Sequence, residues 1–229
     1  MTREIVFDTE TTGLSPANGD RLLEIGAVEL INHVPTGKHY HQFINPKRDV
    51  PEDAYKVHGL SYDFLKDFPV FEEVVDEFLE FIGDAVLVAH NASFDMSFIN
   101  SELKNARREA ITNDRVVDTL EISRRLFPGA RNNLDALCKR YNIDNSDRTK
   151  HGALIDSELL AKVYLELLGG QEPKMVFEKK EEAANKSLEF ADKKVRESRN
   201  FIVSGEELKE HEEFLKNKLN GALWAVTTE

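Results

Sequence analysis

Three short blocks hold the residues best suited to chemistry: Asp8-Thr9-Glu10-Thr11-Thr12-Gly13, His90-Asn91-Ala92-Ser93-Phe94-Asp95 and His151-Gly152-Ala153-Leu154-Ile155-Asp156. Each falls at a predicted strand or helix boundary, where the scaffold can hold a side chain over a cleft. Asp8 and Glu10 stand two apart at a strand end, so the period of two sends both carboxylates to one face, roughly 6.6 Å apart along the strand. Two like charges there are costly without a cation between them. Asp95, at the start of a helix, and Asp156, in the first turns of another, bring carboxylates from two further segments, and Asn91 is expected to hold its turn by hydrogen bonding. Together the blocks read as a two-cation site for phosphodiester hydrolysis.

The third block carries a geometric constraint. Five residues along a regular helix turn by about 140°, so His151 must lie in the loop ahead of the helix that bears Asp156. Gly152 eases the swing. An ordinary pKa near 6.5 suits histidine to taking a proton from water at neutral pH. Singly, each block also fits exposed acidic residues opening a turn; jointly they do not. His90 reads as ambiguous between a structural group flanking a strand end and a ligand, and Phe94 and Phe98 as core rather than substrate-stacking residues. His211-Glu212-Glu213 lacks the second histidine of a zinc protease, since position 215 is Leu. Asn91-Ala92-Ser93 fits a glycosylation acceptor in a chain with no sign of secretion.

The elements that must position these residues follow from periodicity. Strands are predicted at 4–8, 22–31 and 38–44, close enough in sequence to form an antiparallel meander, then at 85–89 and 116–117. Helices are predicted after Pro51, over 71–82, from about Phe94, and near 119–126, 133–141 and 154–168. A meander followed by strand and helix alternation implies an α/β fold, a mixed sheet with helices packed on it.

At 229 residues and 41% hydrophobic composition, the chain can bury one substantial core and carry an appendage. Residues 1–170 read as the catalytic domain, 171–200 as a linker, and 201–229 as a docking segment. Leu208, His211, Phe214, Leu215 and Leu219 keep helical spacing, and Leu223-Trp224-Ala225-Val226 follows. A net charge of −12 excludes a protein that coats nucleic acid through its phosphates, but not one that grips a strand end through cations. Arg124, Arg125, Arg131, Lys139, Arg140, Arg148 and Lys150 are the local basic groups, read mainly as solvated helix faces. The lone Cys138 is a small buried hydrophobe. The N-terminus opens directly into a strand, and no apolar run is long enough for a membrane span, which places the chain in the cytoplasm.

In this order the blocks resemble the DEDDh exonucleases, named for four acidic residues and a histidine. The resemblance implies a ribonuclease-H-like fold, two Mg2+ or Mn2+ ions, and removal of one nucleotide at a time from a DNA 3′ end. It makes Asp8, Glu10, Asp95 and Asp156 the metal ligands, with Glu10 and Asp156 also touching substrate, and His151 the general base. It assigns His58, within Val57-His58-Gly59-Leu60, to substrate contact, with Asn91 beside it. Thr11, Gly13 and Leu14 would receive the terminal nucleotide, Leu14 packing on a base.

Gly169-Gly170-Gln171, Met175-Val176-Phe177 and Leu223-Trp224 are similar to the tails of proofreading subunits of bacterial replicative polymerases. That likeness implies a sliding-clamp contact at 171–177 and a polymerase alpha-type subunit on the C-terminal segment. Gln171 stands one residue farther from Met175 than the pattern has, so plain linker remains open for 171–177. Other readings also stay open at this point: an RNA-trimming enzyme with the same blocks, a repair exonuclease, and a non-catalytic polymerase or clamp adaptor.

Overall fold

Strand β1 (Arg3–Thr11) alternates between two buried faces, and β2 (Leu22–Ile31) pairs antiparallel with it along its whole length. The computed structural model describes residues 2–146, 150–169 and 204–218. With β3 (Val34–Phe43), β4 (Val86–Ala89) and β5 (Val116–Asp118), they form a five-stranded mixed sheet in the order β3-β2-β1-β4-β5. The first three strands are the predicted meander, and β4 and β5 add parallel to β1. β1 runs three residues beyond the predicted end, because its pairing continues to Thr11 opposite Leu22 past an irregularity after Glu10.

Among the described residues, seven helices flank the sheet: α1 (Glu52–His58), α2 (Tyr62–Leu65), α3 (Phe71–Ile82), α4 (Ala92–Asn105), α5 (Thr119–Leu126), α6 (Leu134–Tyr141) and α7 (Ala153–Leu167). The single turn α2 is absent from the periodicity reading; Ser61 caps it by accepting from the Phe64 N–H at 3.2 Å. α4 starts two residues earlier than expected. Asn91 adopts a left-handed backbone, φ 66° and ψ 49°, which turns the chain from β4 straight into the helix.

One sheet face, with Ile5, Phe7, Ile25, Ala27 and Leu87, packs on Phe71 and Phe78 of α3 and Phe98 and Ile99 of α4. Each such side chain, fully buried, contributes about 1.5–3 kcal/mol. The opposite face, with Val6, Val28, Leu30 and Val88, packs on Leu160, Ala161 and Tyr164 of α7. The far side of α7 presents Leu159, Val163 and Leu167 to Leu137 and Cys138 of α6. A helix covered on two sides has little room to slide. The loop after β1 is tied to α4 by a two-pronged ion pair, Arg21 to Glu102 at 2.6 and 2.8 Å.

Helix α8 (Gly205–Lys218) is described by itself. Its start is closed by Ser204 and Glu207, each backbone N–H donating to the other's side chain, at 2.9 and 3.3 Å. Leu208 and Phe214 are exposed on it. The segments 171–177 and 178–200, Leu219 and Leu223-Trp224-Ala225-Val226 lie outside the described residues. Among the described residues no helix is long and apolar enough to cross a membrane.

One close approach sets the position of α7. A Cβ at Gly26 would collide with the backbone of Ala153 and Leu154, so the first turn of α7 lies directly on β2, beside Asp8 on the neighbouring strand. Gly26→Ala is expected to cost about 1–3 kcal/mol in thermal or denaturant unfolding. Displacing the turn that bears Asp156 by about 1 Å is expected to cost on the order of 100-fold in the rate of any reaction that uses this turn. Unchanged activity and stability would show that α7 does not depend on this contact.

Candidate active site

A cleft of about 310 Å³ gathers all five predicted residues: Asp8, Glu10, Asp95, His151 and Asp156 line it. It opens where β1 and β4 end, the side of a parallel sheet on which ligand sites are usually built. Asp8 and Glu10 share the face of β1 that turns toward α7, as the strand period requires. Glu10, His151 and Asp156 form the tightest group, each offering a ligand atom within 4.8 Å of the others. Asp8 and Asp95 stand at the same cleft outside that group.

His151 occupies the loop before α7, as the helical geometry demanded, with Gly152 extended at the helix N-cap. Its Nδ1 lies 3.2 Å from Asp156 Oδ2. The loop is gripped by α1: the His151 N–H donates to Val57 O at 3.3 Å, and the Lys150 ammonium sits 5.1 Å above the Tyr55 ring. Gly59, at φ 77°, leaves the space that the Lys150 side chain fills. The Val57-His58-Gly59-Leu60 segment therefore supports the histidine loop.

Asp95 is held from the other face of β1. Thr9 donates its hydroxyl to Asp95 Oδ1 at 2.7 Å, a partner the sequence reading missed although alternation places Thr9 opposite Asp8 and Glu10. Burial pushes the Asp95 carboxyl up to about 7, against the pull of the Thr9 hydroxyl. Glu24 lies across the strands from Glu10, an arrangement of like charges that would repel. His41 of β3 stands beside it, with Nε2 2.7 Å from Glu24 Oε1.

The expected hydrogen bond from Asn91 is corrected by the structure. Its exposed side chain makes no cap; the turn rests on the left-handed backbone and on Asp118, which accepts from the Asn91 N–H at 3.0 Å while capping α5. His90, ambiguous in the sequence, has Nδ1 2.9 Å from Thr119 Oγ1 and also lines the cleft. Phe98 is core, and Phe94, partly buried, packs against that core and also lines the cleft. Asn133, Leu134 and Asp135 also line the cleft and were not singled out; Asn133 is there because it caps α6, accepting from the Ala136 N–H at 3.0 Å.

The remaining predicted contacts, His58, Thr11, Gly13 and Leu14, are not among the residues that line the cleft. His58 is buried, and burial holds its imidazole below the ordinary value. Its Nδ1 accepts from the Leu60 N–H at 3.0 Å, so the neutral ring carries its proton on Nε2, and the Thr11 backbone lies beside that ring. Thr11 donates to Gly13 O at 2.6 Å. The Asp20 carboxylate occupies the space a Cβ at Gly13 would need and accepts from the Ser15 N–H at 3.1 Å. The loop so folded holds Leu14 out in solvent, 85% exposed.

A set of carboxylate oxygens with one imidazole, partly buried and convergent, has the donor chemistry of a divalent cation site.

The comparisons with known proteins agree with this geometry. The exonuclease (RNase_T) family model matches residues 5–164. DNA polymerase III subunit epsilon of Rickettsia felis is 49% identical over 226 residues, covering 96% of this chain and 98% of its own. The Escherichia coli protein of the same name is 40% identical over 238 residues, covering 98% of each. Exonuclease X, solved with 5′-overhanging duplex DNA, superposes with a TM-score of 0.56 at 25% identity, over 73% of this chain and 91% of that one. The nuclease domain of 3′hExo, a DEDDh member bound to rAMP, shares the fold, with a TM-score of 0.62 at 16% identity over 72% and 91%. The five-stranded sheet, the convergent carboxylates with their loop histidine and these likenesses have one reading: the chain belongs to the exonuclease family, within its DNA polymerase III epsilon subunits.

Proposed function

We propose that this chain is the proofreading 3′-5′ exonuclease of a bacterial replicative DNA polymerase, removing mispaired 3′-terminal nucleotides by hydrolysis with two Mg2+ or Mn2+ ions. The observation that carries this reading is the meeting of Asp8, Glu10, Asp95 and Asp156 in one cleft beside a histidine held on a loop. Those four carboxylates would hold the ions. When bound, the ions draw charge from the scissile phosphate and stabilise the departing 3′ oxygen.

His151 is the general base. With its Nδ1 proton turned to Asp156, Nε2 takes the proton of the attacking water. The water oxygen joins phosphorus in line as the bond to the 3′ oxygen breaks; that oxygen takes up a proton, and a nucleoside 5′-monophosphate leaves. His58, buried beside the Thr11 backbone, meets the terminal nucleotide, which Thr11 and Gly13 receive against their backbone. The exposed Leu14 packs on its base, and Glu10, Asp156 and Asn91 complete the contacts. A mispaired end frays at lower cost than a paired one, by a few kcal/mol, so a site that accepts only an unpaired end selects errors.

Residues 1–170 are the catalytic domain, 171–200 the linker with a clamp contact at 171–177, and 201–229 the docking segment for the polymerase alpha-type subunit. Exposed Leu208 and Phe214 on α8 and the relatives' place in a polymerase support the last assignment. Such work is done in the cytoplasm.

The direct test is a primer with a mispaired terminus, incubated with Mg2+, with and without chelator, beside an RNA of the same sequence. Stepwise shortening of the DNA, stopped by chelator, is expected; preference for RNA would overturn the proofreading assignment. His151→Gln is expected to lower kcat by about 10²- to 10⁴-fold with Mn2+ binding retained in calorimetry. Loss of Mn2+ binding in parallel would make His151 a ligand instead.

The Asp95 carboxyl has a pH signature. Its folded value of about 7 lies above the ordinary 3.8, so the stability it contributes to the metal-free protein is complete below about pH 4 and lost as pH rises through 7. Cation binding needs the carboxylate, so Mg2+ stabilisation grows over the same range. The gap in Tm between Mg2+-loaded and chelator-treated protein is expected to widen from about pH 5 to about pH 8. Equal widening in Asp95→Asn would remove Asp95 from the linkage.

A further inference from the structure

Two contacts fasten the histidine loop to α1 from outside the cleft. The His151 N–H donates to Val57 O at 3.3 Å, a long hydrogen bond, and the Lys150 ammonium lies 5.1 Å from the centre of the Tyr55 ring. Tyr55 stands one turn before Gly59, whose N–H closes α1 on the Tyr55 carbonyl at 2.8 Å. Gly59 is left-handed, and the Lys150 side chain crosses the space its Cβ would fill, which brings the ammonium back over the ring. Tyr55 and Lys150 are both exposed, and neither is among the residues that line the cleft.

Packing between the sheet and α6 holds α7, and Asp156 with it, but His151 stands ahead of that helix and is exposed. Its ring contact with Asp156 spans five residues of chain, so it turns the imidazole without tying the loop to another element. The tie to a distant element comes from α1. Nearby lysines are used differently: Lys56 meets Glu52 and Asp53, and Lys66 meets Asp63, whereas Lys150 lies over an aromatic face. At an exposed site a cation over a ring shifts an equilibrium by about 2- to 5-fold, enough to set how a loop divides its time but too little to hold up a fold.

We propose that Tyr55 and Lys150 are positioning residues for the hydrolytic step: they form a latch that holds the His151 loop on α1, and its strength sets the fraction of molecules whose imidazole stands at the cleft. The proposal rests on the exonuclease reading, in which His151 takes the proton. Only the latched loop can do so. Loosening it therefore lowers kcat in proportion to the latched population, and leaves substrate affinity and cation binding, which the sheet and α7 provide, as they were.

The test uses the full chain, with a short single-stranded oligodeoxynucleotide in Mg2+ for kinetics and amide hydrogen exchange without substrate. Tyr55→Leu and Lys150→Gln are each expected to lower kcat by about 2- to 5-fold, with KM and Mn2+ affinity in calorimetry unchanged. Each is also expected to speed exchange of the His151 amide by about the same factor. The double variant should lose no more than either single one, where independent losses would multiply. Tyr55→Phe, which keeps the ring, and Lys150→Arg, which keeps the cation, are expected to restore most of the rate. A loss in Lys150→Gln without one in Tyr55→Leu would mean that the lysine acts through its charge alone, and a raised KM would place it on the substrate; either overturns the latch. Faster exchange at His151 with unchanged kcat overturns it too, as does a kcat loss that follows a fall in Tm and is not restored by the conservative variants. Wild-type protein that leaves the oligonucleotide intact, whatever its exchange rates, would instead bring down the exonuclease reading and the latch's role with it.

Discussion

The contact of α7 with β2 at Gly26 is the constraint on which the site depends. Asp8 and Glu10 belong to the sheet, whereas His151 and Asp156 belong to the start of a helix, and nothing in local structure obliges the two to meet. The missing Cβ lets the Ala153–Leu154 backbone rest on the sheet next to Asp8. Packing of α7 between the sheet and α6 then resists sliding. The result is a set of ligand atoms within 4.8 Å of one another, drawn from a strand, a loop and a helix.

Charge is distributed in the same economical way. Several arginines and histidines of this acidic chain serve buried carboxylates of the scaffold: Arg3 meets Glu29, Arg21 meets Glu102 and His41 meets Glu24. Such pairs stabilise the fold by sparing a carboxylate an unpaired burial, and they are not available to a phosphate backbone. On the proposed function, nucleic acid would be held mainly through cations at the cleft, which accords with a protein that handles one strand end rather than a length of duplex.

Much of this was legible before any coordinates. Strong periodicity made β2, α3 and α5 readable to the residue, and the rotation between positions 151 and 156 placed His151 off the helix. The failures have physical causes. Thr9 and Gly26 act across the sheet, through register and packing that a linear pattern does not display. The left-handed backbone of Asn91 replaced the side-chain bond expected of it, and started α4 early. Helix α7, buried on two sides, shows no single apolar stripe, so its packing partners could not be inferred from its own residues.

The central claim is that carboxylates from distant segments converge to hold a pair of cations beside His151. Anomalous scattering from a crystal of the protein soaked in Mn2+ with thymidine 5′-monophosphate measures it directly. Two peaks about 3.5–4 Å apart, contacted by Asp8, Glu10, Asp95 and Asp156, are the result this account requires. A single peak, or peaks bound elsewhere while those carboxylates bind none, would contradict it.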